Sequence, residues 1–224
     1  MVNYKNKIAT AINRIKVYGK PKIFCIGFNK TGTTSLKSLF TDLGFIIGEQ
    51  RIGELLINEL PKGEYRGLIN YIKTAQFFQD YPFSAPGIFK VLDKLYPDAR
   101  FILTERNSPE EWYHSLLRFH SQQFNEGKFP TIKSLKESKY VYNGWIWEFL
   151  CKVYDFEEGG ILYDKEKLIN LYLNHNASVK YHFKDRQNKL LVLNLQKETG
   201  VSDFNQFFQF ERKIESFPWE NKSK

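Results

Sequence analysis

The chain has 224 residues, 42% of them apolar, and 33 Lys+Arg against 25 Asp+Glu give it a net charge of +8. That size suits one α/β domain with a substantial core and excludes a disordered chain. The positive charge suits anionic partners, but the lysines are spread without a run of five or six, which speaks against a nucleic-acid-binding tail and for a diffuse field around one anion site.

Residues 1–20 read as a short basic amphipathic helix, with Ile8, Ala11, Ile12 and Ile15 on one face and packed on the sheet edge. Residues 22–27 form a buried parallel strand, and 33–43 a helix whose Leu36, Leu39, Phe40 and Leu43 recur at helical spacing before Gly44. A second strand is predicted over 45–48, helices over 50–60 and 64–74, a short strand over 76–79 and a helix over 86–96. The run FILTE predicts a buried strand over 101–105. Helices follow at 109–124, 135–153 and 164–184, then the strand 190–195 and a helix over 202–212. Segments 125–134 and 155–163 read as loops, and neither marks a domain boundary, so residues 1–224 form one domain. Strands alternating with helices imply an α/β fold with a central parallel sheet flanked by helices on both faces.

Cys25 and Cys151 show neither metal-ligand spacing nor a disulfide framework. The N-terminus lacks a signal-type apolar segment, and no stretch has the length of a membrane span. A soluble, cytoplasmic protein is expected. The 20 Phe and 13 Tyr fit either a compositional bias or an aromatic-rich substrate cleft.

The stretch IFCIGFNKTGTTSL carries the chemistry. A strand entering a Gly-rich turn that opens a helix makes an anion cradle, because backbone N–H groups converge there and the helix dipole favours negative charge. Gly27 and Gly32 have the separation of a Walker loop, but Thr33 follows Gly32 where that loop has lysine. Lys30 stands two residues earlier, on the loop itself, where it reaches a bridging oxygen. Thr33, Thr34 and Ser35 add hydroxyls at the helix start.

The string GFNKTGTTSL resembles the 5′-phosphosulfate loop of sulfotransferases that use 3′-phosphoadenosine 5′-phosphosulfate (PAPS). The resemblance implies that Lys30 contacts the bridging oxygen and the transferring sulfuryl group. It also implies that Thr31, Gly32, Thr33, Thr34 and Ser35 cradle the 5′-phosphate. Ser35 stands where cytosolic members have a tryptophan against adenine, so adenine must stack elsewhere.

The stretch FILTERNSPEEWYHSLLRF supplies a second half. Ser108, Pro109 and Glu111 form a helix start with an N-cap, Pro at N1 and Glu at N3. Trp112, Leu116 and Phe119 make the apolar face, with Ser115 on the same stripe, while His114 and His120 face outward or flank it. The family binds the donor's 3′-phosphate with an Arg at the end of such a strand and a Ser on the next helix, roles that fall on Arg106 and Ser115. This chain has one extra residue between Arg106 and Pro109, which bears on where Arg106 points. An ion pair of Arg106 with Glu105, Glu110 or Glu111 is its alternative use, and Glu105 at the strand end also fits a Walker-B carboxylate.

The acceptor's proton needs a base. The family's base is a His before Leu-Pro; the comparable stretch QFFQDYPF offers Asp80, whose pKa burial must raise. Glu49 and His175 are the competitors. The stretch HNASVKYHFKDRQNKLLVLNL and the ending FPWENKSK also resemble the family, and Lys222 would add a phosphate contact. The resemblance implies metal-independent sulfuryl transfer from PAPS to a hydroxyl or amine of a small-molecule, lipid or glycan acceptor, releasing adenosine 3′,5′-bisphosphate. The resemblance also implies a three-layer P-loop-like fold, with segments 50–75 and 120–165 as a helical cap on the acceptor side. A P-loop kinase or NTPase, a non-catalytic nucleotide-binding module and a basic membrane-surface protein are the alternatives.

Overall fold

The computed structural model describes residues 4–218, with side chains from residue 9 onward; Ile8 and Lys222 with the tail beyond Pro218 lie outside the described side chains. Four parallel strands build one sheet: β1 (Ile23–Cys25), β2 (Phe77–Phe78), β3 (Arg100–Thr104) and β4 (Leu190–Leu193), in the spatial order β2-β1-β3-β4. Ile23 stands opposite Phe77 on one side and Arg100 on the other, and Phe101 pairs with Leu190. Parallel strands need crossover connections, which the helices supply. They are α1 (Tyr4–Lys16), α2 (Thr33–Asp42), α3 (Gln50–Glu54), α4 (Arg66–Ile72), α5 (Ile88–Leu95), α6 (Pro109–Phe124), α7 (Ile132–Glu137), α8 (Trp145–Tyr154), α9 (Lys165–His182) and α10 (Gly200–Phe208).

Two cores flank the sheet, as strands buried on both faces require. One face gathers Phe24, Phe78, Phe83, Phe89, Phe101 and Phe183. The other gathers Cys25, Leu36, Phe40, Phe77, Ile102 and Phe204. A third cluster, built around Trp112, Trp145, Phe149 and Tyr154, fills the cap. Phe is thus spread through all three cores and Tyr through two of them, so the aromatics are not confined to the cap.

Several elements depart from expectation. Residues 45–48 form no strand; Ile47 makes an isolated parallel bridge to Phe77, and Gly48 N–H donates to the Phe77 carbonyl (2.8 Å) before the chain turns into α3. The helix expected over 50–60 is α-helical only to Glu54 and continues as two 3₁₀ turns, Leu55–Asn58 and Leu60–Lys62, the second holding Pro61 in its first turn. The helix expected over 135–153 is two helices. Gly144, at φ 81°, starts α8, and Lys139 bridges Asn143 just before it. Helix α7 begins inside the expected 125–134 loop, through a capping box of Thr131 and Ser134.

Helix α1 is present but is not packed by its apolar face on the sheet edge. Ile12 is 45% and Ile15 79% exposed, and the first buried residue is Val17.

At the end of β1 the chain passes close against β3. A Cβ on Gly27 would lie 2.2 Å from Thr104 Oγ1 and 2.7 Å from Thr104 N. Gly27→Ala should therefore push β1 from β3 and cost about 2–4 kcal/mol of stability, read as a lower urea midpoint with an unchanged m-value.

Candidate active site

The loop after β1 is a strained turn. Lys30 adopts φ 67° and Gly32 φ 100°. For a lysine the left-handed region costs roughly 1–2 kcal/mol, so surrounding contacts must hold it there. They come from the helix after β3 and from the cap. Trp112 Nε1 donates to the Asn29 carbonyl (3.0 Å), Arg106 Nε to the Lys30 carbonyl (2.7 Å), and the Tyr154 hydroxyl to Asn29 Oδ1 (2.8 Å). Thr31 turns inward: its hydroxyl donates to the Phe28 carbonyl and shares a hydrogen bond with Thr104 Oγ1. That hydroxyl is therefore not offered to a ligand, in contrast to the side-chain contact implied for it. Gly32 then caps α2 without a side chain, leaving the first-turn amides facing the loop.

Arg106 stands on the corner between β3 and α6. Its N–H donates to the Tyr172 hydroxyl (3.0 Å), and its guanidinium pairs with Glu111 (3.1 Å) while clamping the loop. Asn107, next on the corner, bonds Gln196 (2.8 Å) and Asn194 (2.9 Å) beyond β4. Ser108 accepts from Glu111 N–H (3.1 Å), so α6 starts where its capping box places it. Glu105 pairs with Lys180 (2.8 Å), so it is engaged away from the loop, unlike a Walker-B carboxylate.

These pieces surround one cavity of about 250 Å³. Lys30, Gly32, Thr33, Thr34, Ser35, Arg106 and Ser115 line it, together with Asp80, Glu54, Tyr140, Trp145 and Phe149. Lys30 Nζ stands 4.0 Å from the Phe119 ring centroid. Burial, then the Arg106 charge, lowers its pKa, while Asp80 opposes that.

Asp80 is held at φ 57° and its Oδ1 is buried without a hydrogen-bond partner. Burial is the main force pushing its pKa up to about 6; a hydrogen bond from Thr33 and the Lys30 charge pull it down, and Glu54 pushes it up. A buried carboxylate with an open oxygen and a pKa near neutrality has the makings of a general base.

The competitors lie elsewhere. Glu49 is exposed at the start of α3 and does not line the cavity. His175 is buried behind β1, its Nε2 on the Ile26 carbonyl (2.8 Å) and its ring stacked on Phe28 at 4.5 Å. His114 is exposed as expected, but His120 is not outward-facing: it is 1% exposed, lines the cavity, and bonds the Tyr163 hydroxyl through Nδ1 (2.8 Å). Burial and the nearby Lys30 lower its pKa to about 3, so the ring is neutral at physiological pH.

The sequence reading also missed Glu54. Its carboxylate takes bonds from Gln50 (3.0 Å), Tyr140 (3.1 Å) and Arg51 (3.0 Å), and its carbonyl one from Trp145 Nε1 (3.0 Å). No spacing marks it; a single Glu in a short helix reads as solvated surface.

A parallel sheet with a strand–loop–helix anion cradle and a facing Arg-Ser pair defines a group-transfer enzyme of the P-loop-like class. The chain belongs to the sulfotransferase domain family, whose model matches residues 22–224. No curated protein matches it. Among the described residues no three His, Cys, Asp or Glu cluster as metal ligands, and no helix is long and apolar enough to cross a membrane.

Carboxyl-carbon NMR should show Asp80 taking up its proton near pH 6, above the ordinary Asp range. In the same titration the His120 imidazole should stay neutral down to pH 5.

Proposed function

We propose that this sulfotransferase takes its sulfuryl group from PAPS and passes it, without a metal, to a hydroxyl or amine of a small-molecule, lipid or glycan acceptor. The observation that carries the reading is that the 27–35 loop, Arg106 and Ser115, far apart in the chain, line one cavity with a buried open carboxylate. The donor set fits a nucleotide with two separate phosphate groups. The loop and the first turn of α2 suit the 5′ end, and Arg106 with Ser115 suits the 3′-phosphate.

When bound, PAPS supplies an activated sulfuryl group on its 5′-phosphate. The Asp80 carboxylate takes the acceptor's proton as the new oxygen–sulfur or nitrogen–sulfur bond forms. Lys30 and the loop amides meet the negative charge left on the phosphate oxygen as its bond to sulfur breaks, yielding adenosine 3′,5′-bisphosphate. A lysine and amides held by the fold support this reading, because groups fixed beforehand meet developing charge with little reorganisation. Aromatic walls from the 120–165 segment, with Gln50 and Glu54, suit an acceptor that pairs an apolar face with polar groups.

Calorimetry tests the donor. Wild type should bind adenosine 3′,5′-bisphosphate without metal and in preference to adenosine 5′-phosphate, and Arg106→Ala should erase that preference. A preference for ATP·Mg²⁺ indifferent to the 3′-phosphate would sink the reading and favour a kinase or NTPase.

Kinetics tests the chemistry. Lys30→Ala should lower kcat by about 10²–10⁴-fold. Because Asp80 is neutral below about pH 6, kcat/KM should fall on the acid side of that value, and Asp80→Asn should remove that limb along with most of the rate.

A further inference from the structure

The family's model begins at residue 22, so α1 lies outside the conserved domain. The first 22 residues hold six basic side chains (Lys5, Lys7, Arg14, Lys16, Lys20 and Lys22) and no acidic one; the first carboxylate in the chain is Asp42. Ile12, Ile15 and Tyr18 are 45%, 79% and 89% exposed. An isolated exposed leucine or isoleucine needs no explanation, but three exposed apolar or aromatic residues in seven, at the end of a basic helix and the turn after it, do.

Beside this helix lies a groove of about 410 Å³, bounded by Arg14, Tyr18, Lys20, Lys73, Leu95 and Asp98 among others. Lys20 and Lys73 are exposed, Leu95 is 40% exposed, and Asp98 is the one acidic side chain on its rim. Arg14 reaches across it to the Asn70 carbonyl (3.4 Å), and Lys22 Nζ is turned inward onto the Ala75 carbonyl (2.6 Å). The surface therefore combines an exposed apolar stripe with a cationic rim.

We propose that α1 and this groove form a docking surface for an anionic lipid bilayer. Ile12 and Ile15 enter the acyl boundary, Tyr18 sits at the headgroup level, and Arg14, Lys16, Lys20 and Lys73 face lipid phosphates and carboxylates. A bilayer is favoured over an acidic protein because the feature is a thin apolar stripe with cations around it. A fluid surface needs no matching shape, whereas a stable protein interface needs a broad, well-packed patch.

The sheet fixes what such docking does. Lys22 and Ala99 precede β1 and β3, so the groove lies at the N-terminal edge of parallel strands. The loop, Asp80 and Arg106 follow β1, β2 and β3, at the opposite edge. A docked protein holds its cavity away from the bilayer, open to acceptors whose reacting group stands clear of it.

The test is sedimentation of the full chain with vesicles of phosphatidylcholine alone or mixed with phosphatidylserine. The expected result is binding to the mixed vesicles only, weakened by salt and at least about tenfold by Ile12→Ser with Ile15→Ser. The double variant should bind adenosine 3′,5′-bisphosphate as wild type does, which shows that it is folded and separates this proposal from the donor assignment. Absence of binding to mixed vesicles overturns the proposal. So does binding that the double substitution leaves unchanged, which would be a general attraction of a +8 protein.

Discussion

The site depends on holding one lysine in a conformation that lysines avoid. Lys30 sits in the left-handed region because its own carbonyl is gripped by Arg106 and the carbonyl before it by Trp112. Each bond contributes on the order of 1 kcal/mol, somewhat more for the charged donor, which together match the backbone cost. Trp112 is stacked on Tyr172 at 4.7 Å, and Tyr172 accepts from the Arg106 backbone. The loop is therefore shaped by the β3–α6 corner and α9. Arg106 both lines the cavity and shapes the loop, so one side chain ties the β3–α6 corner to the turn that opens α2.

Charges of both signs share the cavity: Lys30 and Arg106 line it together with Asp80 and Glu54. Burial makes each of these groups sensitive to the next: Lys30 is pushed towards neutrality by Arg106 and back by Asp80, and Asp80 towards neutrality by Glu54 and back by Lys30. An anion bound beside them would change the surroundings of Lys30 and Asp80 together, so their proton affinity and ligand binding are linked.

Much of this was legible in the sequence because it rests on local rules. The strand–glycine–helix transition at 23–36, the cap at Ser108 and the buried runs at β3 and β4 are each specified by neighbours in the chain. The 45–48 segment failed because an apolar run of four does not say whether a sheet edge has room for it. The 135–153 region failed because its helical periodicity hid the Asn143-Gly144 turn. His120 and Glu54 were missed for a different reason: their surroundings come from the cap, assembled from segments more than forty residues apart, as Tyr163 and Trp145 show.

Glu54 is the joint where α3 meets Tyr140 and Trp145 of the cap, and its bonds use its carboxylate on one side and its backbone on the other. The loop after β1 is held by Trp112, Arg106 and Tyr154. Tyr154 is also a cap residue, its ring 5.2 Å from that of Phe149 in the same buried cluster. Cap wall and loop are therefore not independent parts. Reshaping the wall at Phe149 would press on Tyr154 and, through its hydroxyl, on Asn29 beside Lys30, so a change in one wall carries into the turn that the sheet presents.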